Sequence, residues 1–112
     1  MKKVPKKDFV LFKKTFKELA NKLGLQEYCI DFNFEPLEDN YAEIHIDESG
    51  KCASVYFSSV YNDHRDPKLI AKHEATHLLL ARLCTLAQRR YITSLEISDE
   101  AEAIVRKLEN IL

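Results

Sequence analysis

The sequence predicts a single α+β domain in which one helix is followed by three antiparallel strands and then by two further helices. Three observations support this order: a helical repeat of apolar residues over 8–23, strict alternation in three segments between residues 30 and 57, and two long helix-forming stretches after residue 66. The 112 residues fit one domain, 1–112, with no room for a second.

The first helix is indicated by apolar residues that recur every three to four positions. They form one stripe, and the lysines fall largely outside it. Gly24 stands where a residue with left-handed backbone commonly ends a helix. The stripe consists of Phe9, Phe12, Phe16, Leu19, Ala20 and Leu23.

The three strands are indicated by alternation of apolar and polar residues, which is typical of strands with one buried face. Residues 47–50 form a turn signal between the second and third strands. We expect a three-stranded antiparallel sheet with the third strand, 51–58, as a candidate edge because it leads into the next helix. The apolar positions are Ile30, Phe32, Phe34, Ala42, Ile44, Ile46, Ala53, Val55 and Phe57.

The last two helices have clear start signals. Asp66 is suited to the N-cap and Pro67 to the first helical position of a helix that runs to about Arg90. Thr93 and Glu96 have the spacing of a capping box, which begins a helix that runs to the C-terminus. Its apolar stripe continues through Ile104 and Leu108, among others.

Charge and cysteine usage limit the class of protein. Residues 1–22 carry eight lysines and residues 27–48 carry eight acidic residues, yet the net charge is only −1, so bulk charge does not favour a polyanion binder. The three cysteines, Cys29, Cys52 and Cys84, form no Cys-x-x-Cys pair, and we expect reduced, mostly buried thiols in a cytoplasmic protein. No segment approaches the ~20 apolar residues of a membrane span.

The motif that carries chemistry is His73-Glu74-Ala75-Thr76-His77. On a helix, residues four apart share a face, so both imidazoles can bind one zinc ion, which prefers four ligands. Glu74, beside the first histidine, can then accept a proton from water without binding the metal. The apolar run 78–81 indicates a buried helix, in which two histidines and a glutamate need partners.

The motif His73-Glu74-x-x-His77 resembles that of the zincin metallopeptidases. No histidine or cysteine follows at a ligand-like distance, so the chain is most similar to the gluzincin branch, where a glutamate on the next helix completes the site. The short chain also resembles the minimal gluzincins or the small phage-type metallopeptidase-like proteins. The resemblance covers residues 67–112, and in the first half of the chain it extends only to the order of the elements. The resemblance implies zinc-dependent hydrolysis of a polypeptide, with Glu74 as general base. Lys72 differs from the uncharged residue that zincins usually carry before the motif.

The third ligand implied by this resemblance depends on how the last two helices pair. If they form an antiparallel hairpin that turns near residues 90–93, Glu109 lies level with the two histidines, whereas Glu102 lies ~6 Å beyond His77. Glu109 is therefore the expected third ligand. Glu102 is the alternative if the second helix ends early.

Other polar residues have weaker claims to the site. Cys84 follows His77 by seven positions, ~10 Å along the helix, and is interpreted as a core residue. His45 is expected to be exposed on a strand, whereas His64 could line the cleft from its loop. A donor for the developing oxyanion is also needed, and the candidates are Tyr56, His64, Arg82 and Tyr91.

A binding module is the alternative function. The lysine-rich helix 8–23 could contact nucleic acid or an acidic partner, with zinc serving only to stabilise the fold. The lysines are not interleaved with aromatic residues as in a base-reading surface, so nucleic acid is not the expected partner. The sequence leaves the oligomeric state open.

Overall fold

The computed structural model describes residues 2–89, 92–109 and 111. It confirms the α+β class and the predicted order of the main helices and strands, and adds two short strands that pair antiparallel with each other. None of the helices in these ranges is long and apolar enough to cross a membrane. The elements are β1 (Lys2–Lys3), α1 (Lys6–Lys22), β2 (Cys29–Glu35), β3 (Ala42–Asp47), β4 (Cys52–Ser58), β5 (Val60–Tyr61), α2 (Pro67–Ala87) and α3 (Ser94–Glu109).

The three-stranded sheet has the order β2–β4–β3. The β3–β4 hairpin is antiparallel, as predicted, with Asp47 opposite Cys52. β2 instead runs parallel to β4, with Cys29 opposite Cys52, so the prediction of an entirely antiparallel sheet is wrong. Alternation alone does not distinguish the two pairings, because side chains alternate between faces in both.

The position of β4 in the sheet also differs from expectation. β4 was expected at an edge, but it is the central strand, and β3 occupies the edge on the other side from β2. Ala53, Val55 and Phe57 of β4 are almost completely buried, as the middle strand of a covered sheet requires. This exchange puts β3, not β4, beside the motif helix α2, and the strand and the helix are in direct contact.

The core forms where α1 and α2 cover one face of the sheet. Phe12 is completely buried, and its ring lies 4.6 Å from that of Phe57 and 6.2 Å from that of Phe16, measured between centroids. Phe9 stacks on Phe34 at 4.8 Å. The remaining buried members of the core are Ala20, Leu23, Leu25, Tyr28, Ala53, Val55, Ala71, Ala75, Leu78, Leu79 and Ile104.

The helix-end signals are confirmed in atomic detail. The Asp66 carboxylate accepts a hydrogen bond from the Lys68 amide at 2.9 Å. The Thr93 hydroxyl accepts from the Glu96 amide at 3.1 Å, and the Glu96 carboxylate accepts from the Thr93 amide at 3.4 Å, which completes the capping box. Gly24 has the expected positive φ, +69°. α2 ends at Ala87, and Arg90, its predicted end, lies outside the described residues.

A buried carboxylate ties the β3–β4 turn to the segment before β2. Glu48 accepts a hydrogen bond from the Tyr28 hydroxyl and pairs with the Lys51 ammonium. Burial alone would raise the pKa of Glu48, but the hydrogen bonds from Lys51 and Tyr28 outweigh it, so the pKa lies below its usual value. Burial, followed by the bond to Glu48, raises the pKa of Tyr28. These contacts hold Glu48 charged in the folded protein.

Glu48→Gln is expected to lower the free energy of unfolding at neutral pH by about 1–3 kcal/mol, because a hydrogen-bonded buried charge is lost. The folded pKa of Glu48 is below the unfolded one, so this advantage of the wild type is complete above about pH 4.3 and is lost as the pH falls through the folded pKa. Chemical denaturation at several pH values measures it. Glu38→Gln, at an exposed position, is the control. An equal loss of unfolding free energy in Glu38→Gln would contradict the role of Glu48. So would a difference in unfolding free energy between wild type and Glu48→Gln that stays the same in acid.

Candidate metal and active site

The two histidines of the motif lie one turn apart on α2. Their Nε2 atoms are 3.2 Å apart, and their ring centroids are 4.8 Å apart at an interplanar angle of 81°. Two zinc–nitrogen bonds of about 2.05 Å to these atoms would enclose an angle of about 103°, close to tetrahedral. The separation of the two Nε2 atoms is therefore compatible with one zinc ion bound by His73 and His77.

Glu74 is the buried one of the three ionisable residues in the motif. Its side chain is on the inner side of α2 with 6% exposure, whereas both histidines are exposed to solvent, contrary to the expectation that all three are buried. Burial raises the pKa of Glu74, the positive charges of His73 and His77 oppose the rise, and the nearby charge of Glu43 adds to it. A carboxyl with a raised pKa accepts protons more readily near neutral pH.

A groove between β3 and α2 runs past the motif, and we call it the β3 groove. It consists of two cavities, of about 710 and 540 Å³, and His73 and Glu74 line both of them. The smaller cavity continues along β3, with Glu43 and His45 at its rim, to Cys84 on α2. The histidines therefore stand near the middle of a continuous open channel beside the edge strand.

The larger cavity of the β3 groove brings in residues that the sequence did not single out. Asn40 lines both cavities, and Arg65 lines the larger one. The Arg65 guanidinium lies 4.6 Å from the centroid of the Tyr41 ring, which holds this donor at the wall. Asn40 and Arg65 line the groove because the 39–41 loop lies next to the loop before α2. No local sequence pattern indicates that these two loops are neighbours in the fold.

The proposed carboxylates of α3 are not brought to the histidines. Neither Glu109 nor Glu102 forms a group of three potential metal ligands with the pair, and no such group occurs within residues 2–89, 92–109 and 111. Glu109 is exposed, and Glu102 is exposed with its carboxylate 3.7 Å from the Arg106 Nε atom.

Glu102 and Glu109 are not brought to the histidines because α3 packs on another face of α2. Ile104 and Leu108 line an apolar groove together with Ala75 and Leu79 of α2. Ala75 and Leu79 follow the two histidines by two positions each, about 200° around the helix. α3 thus passes along the same stretch of α2, as the hairpin prediction requires, but on the opposite side.

Lys72 also lies on this opposite side. It lines the apolar groove beside α3, and Glu74 does not. The positive charges that act on the Glu74 carboxyl are those of His73 and His77, with no contribution from Lys72. The unusual residue before the motif therefore leaves the raised pKa of Glu74 intact.

The other candidates from the sequence differ in their position relative to the β3 groove. His64 lines the larger cavity, with its Nε2 atom 3.4 Å from the Asp8 carboxylate. Tyr56 packs against His45 on the outer sheet face, and the charge of Arg82 acts on Glu48, so neither lines the β3 groove. Cys84 lines the groove and is exposed, which corrects its interpretation as a core residue. Tyr91 lies outside the described residues.

No protein-family model matches the chain, no curated protein is significantly similar to it, and no solved structure matches its fold. The resemblance to zincin metallopeptidases therefore depends on the motif and on the geometry of its side chains.

The wild-type protein is expected to bind about one zinc ion per chain, and His77→Ala is expected to weaken binding by at least ~100-fold, because one of two convergent imidazoles is lost. With α3 packed on the far side of α2, Glu109→Ala and Glu102→Ala are expected to keep zinc affinity within about threefold of the wild type. Titration with a competing chelator measures all four proteins.

His64→Ala is the matched control, because this histidine lines the larger cavity but forms no group of potential metal ligands with the pair. Unchanged affinity in His77→Ala would exclude the paired site. A large loss in Glu109→Ala or Glu102→Ala would show that α3 supplies the third ligand after all and reaches the histidines in the metal-bound state.

Proposed function

We propose that the protein is a zinc-dependent peptidase that cleaves extended polypeptide in the β3 groove. The observation that carries the proposal is the 3.2 Å separation of the His73 and His77 Nε2 atoms beside the buried Glu74. This combination supplies a metal-binding pair and a proton acceptor on one helix, at the wall of an open channel. Metal-assisted hydrolysis of a peptide bond uses both of these groups.

The chemistry divides between the metal and the chain. His73 and His77 would hold zinc, which when bound polarises the scissile carbonyl and lowers the pKa of a water molecule toward ~7. Glu74 would act as the general base, accepting a proton from the attacking water and delivering it to the departing amine. Its burial supports the role, since a carboxyl with a raised pKa is better matched to proton transfer near neutrality. Arg65 and His64, at the wall of the larger cavity, are the donors available to the substrate backbone.

The substrate class follows from the strand beside the motif. β3 is an edge strand, and an edge presents unpaired amide and carbonyl groups that an extended peptide can pair with. Ala42, Ile44 and Ile46 line the smaller cavity along with the two histidines. A peptide added to β3 would therefore pass the motif with its backbone held by hydrogen bonds, which favours polypeptides over compact small molecules.

Glu74→Gln is expected to retain zinc and the fold while losing peptide hydrolysis by about 10²–10⁴-fold, because the amide keeps the size of the carboxyl but cannot accept the proton. The assay is a mixture-based peptide library, with wild type, Glu74→Gln and metal-free protein compared side by side. Glu38→Gln, which alters an exposed carboxylate that does not line the β3 groove, controls for the loss of a negative charge. Cleavage at the wild-type rate by Glu74→Gln would contradict the assignment.

The second candidate function, a binding module, has one observation in its favour. Lys6, Lys7, Lys13, Lys14 and Lys17 share an arc of about 120° on α1, and at the border of this arc the Lys13 ammonium lies 4.9 Å from the centroid of the buried Phe9 ring. Such a face attracts polyanions through a salt-dependent interaction. A zinc-loaded protein that cleaves nothing in the library, yet binds duplex DNA or an acidic peptide with steep salt dependence, would favour this function over the peptidase.

A further inference from the structure

Two cysteines meet on the sheet at positions that neither the motif nor the groove uses. Cys29 is the first residue of β2, Cys52 is the first residue of β4, and the two are register partners in the parallel pair. Neighbouring strands lie roughly 4.8 Å apart. Disulfide-bonded cysteines have Cα atoms roughly 4.4–6.8 Å apart, so this spacing is within the range that a bridge requires.

The two side chains also leave the same face of the sheet. Ile30 and Ala53, the next residues along each strand, pack in the core. Because side chains alternate, Cys29 and Cys52 both point to the opposite, outer face. Neither cysteine is in a disulfide and both are exposed, which corrects the expectation of buried cysteines and leaves them accessible to a soluble reagent. The Cys52 thiol donates a hydrogen bond to the Gly50 carbonyl at 3.3 Å, which the bridge would replace.

The backbone around the pair is suited to a small adjustment. Both residues start their strands, and the Cys29 amide donates a hydrogen bond to the Lys51 carbonyl at 2.8 Å. Lys51 has a φ of +52°, so Cys52 directly follows a turn. Bringing the two Cβ atoms closer therefore needs movement at the ends of β2 and β4, and the paired middle of the sheet can stay in place.

We propose that Cys29 and Cys52 form a reversible intramolecular disulfide when a small-molecule disulfide is the oxidant. The thiolate of one cysteine attacks the oxidant, whose sulfur–sulfur bond breaks to release one thiol and leave a mixed disulfide. The thiolate of the other cysteine then attacks this mixed disulfide and releases the second thiol. The protein loses two protons and two electrons, which together are two hydrogen atoms, and the oxidant gains them.

The disulfide links β2 covalently to β4 and encloses residues 29–52, the segment that contains β3. Closing a loop of this length restricts the unfolded chain, so the oxidised protein is expected to unfold at a temperature about 5–15 °C higher than the reduced one. Because β4 carries the edge strand of the β3 groove, oxidation also fixes the sheet that frames the groove. The proposal itself needs neither zinc nor peptidase activity.

The test treats the full chain with oxidised glutathione and measures intact mass and thermal unfolding. The wild type is expected to lose two hydrogen atoms, to yield a cross-linked peptide pair containing Cys29 and Cys52, and to show the higher unfolding temperature. Dithiothreitol is expected to reverse all three changes. Cys84→Ser, the matched control, removes the exposed thiol that can take up only glutathione, and it is expected to form the same cross-link with the same rise in unfolding temperature.

Cys29→Ser and Cys52→Ser are expected to stop at the glutathione adduct and to show no stabilisation. A wild-type protein that carries only glutathione adducts would overturn the proposal, as would cross-linked peptides that join Cys84 to either partner or join two chains. An oxidised wild type that unfolds at the temperature of its reduced form would overturn the predicted stabilisation by the disulfide.

Discussion

The packing of α2 against α1 and the sheet determines where every residue of the motif points. Ala71, Ala75 and Leu78 are almost completely buried and define the inner side of this helix. With that side fixed, the 3.6-residue repeat turns His73 and His77 toward β3 and leaves Glu74 at the boundary between core and groove. A rotation of α2 by one residue would bury the histidines in one direction and expose the glutamate in the other, so the helix packing sets the pattern of exposure that the proposed chemistry requires.

The edge position of β3 is the second constraint on the site. An edge strand beside the motif helix provides an unpaired backbone next to the paired histidines, within one channel. The hairpin that makes β3 is tied down at its turn by Glu48, through Tyr28 and Lys51. The groove is therefore framed by a helix fixed through core packing and by a strand fixed through a buried charge.

The local features of the fold were predictable from the sequence, and the contacts between distant elements were not. Asp66, Thr93 and Gly24 act over a few residues, so their side chains or backbone preferences alone specify the helix ends. The parallel pairing of β2 with β4 could not be read from the sequence, because alternation is the same in both kinds of sheet.

The same distinction applies to the site. The shared face of His73 and His77 follows from helical periodicity, which the sequence contains. The side of α2 that receives α3 depends on which apolar stripe of a multiply apolar helix is already covered by α1 and the sheet. Glu109 was expected at the histidines because its level along α2 can be estimated from chain length, whereas its side of the helix cannot. The exposure of the cysteines was missed for a related reason, since thiols are usually buried and only the strand register reveals the outer face.

The central claim, that His73 and His77 share one metal ion at the β3 groove, is tested most directly by anomalous diffraction at the zinc absorption edge from crystals grown with zinc. We expect one strong peak within bonding distance, about 2.0–2.1 Å, of the Nε2 atoms of both histidines. A zinc-supplied crystal with no peak at this pair, or with peaks only at other residues, would contradict the account.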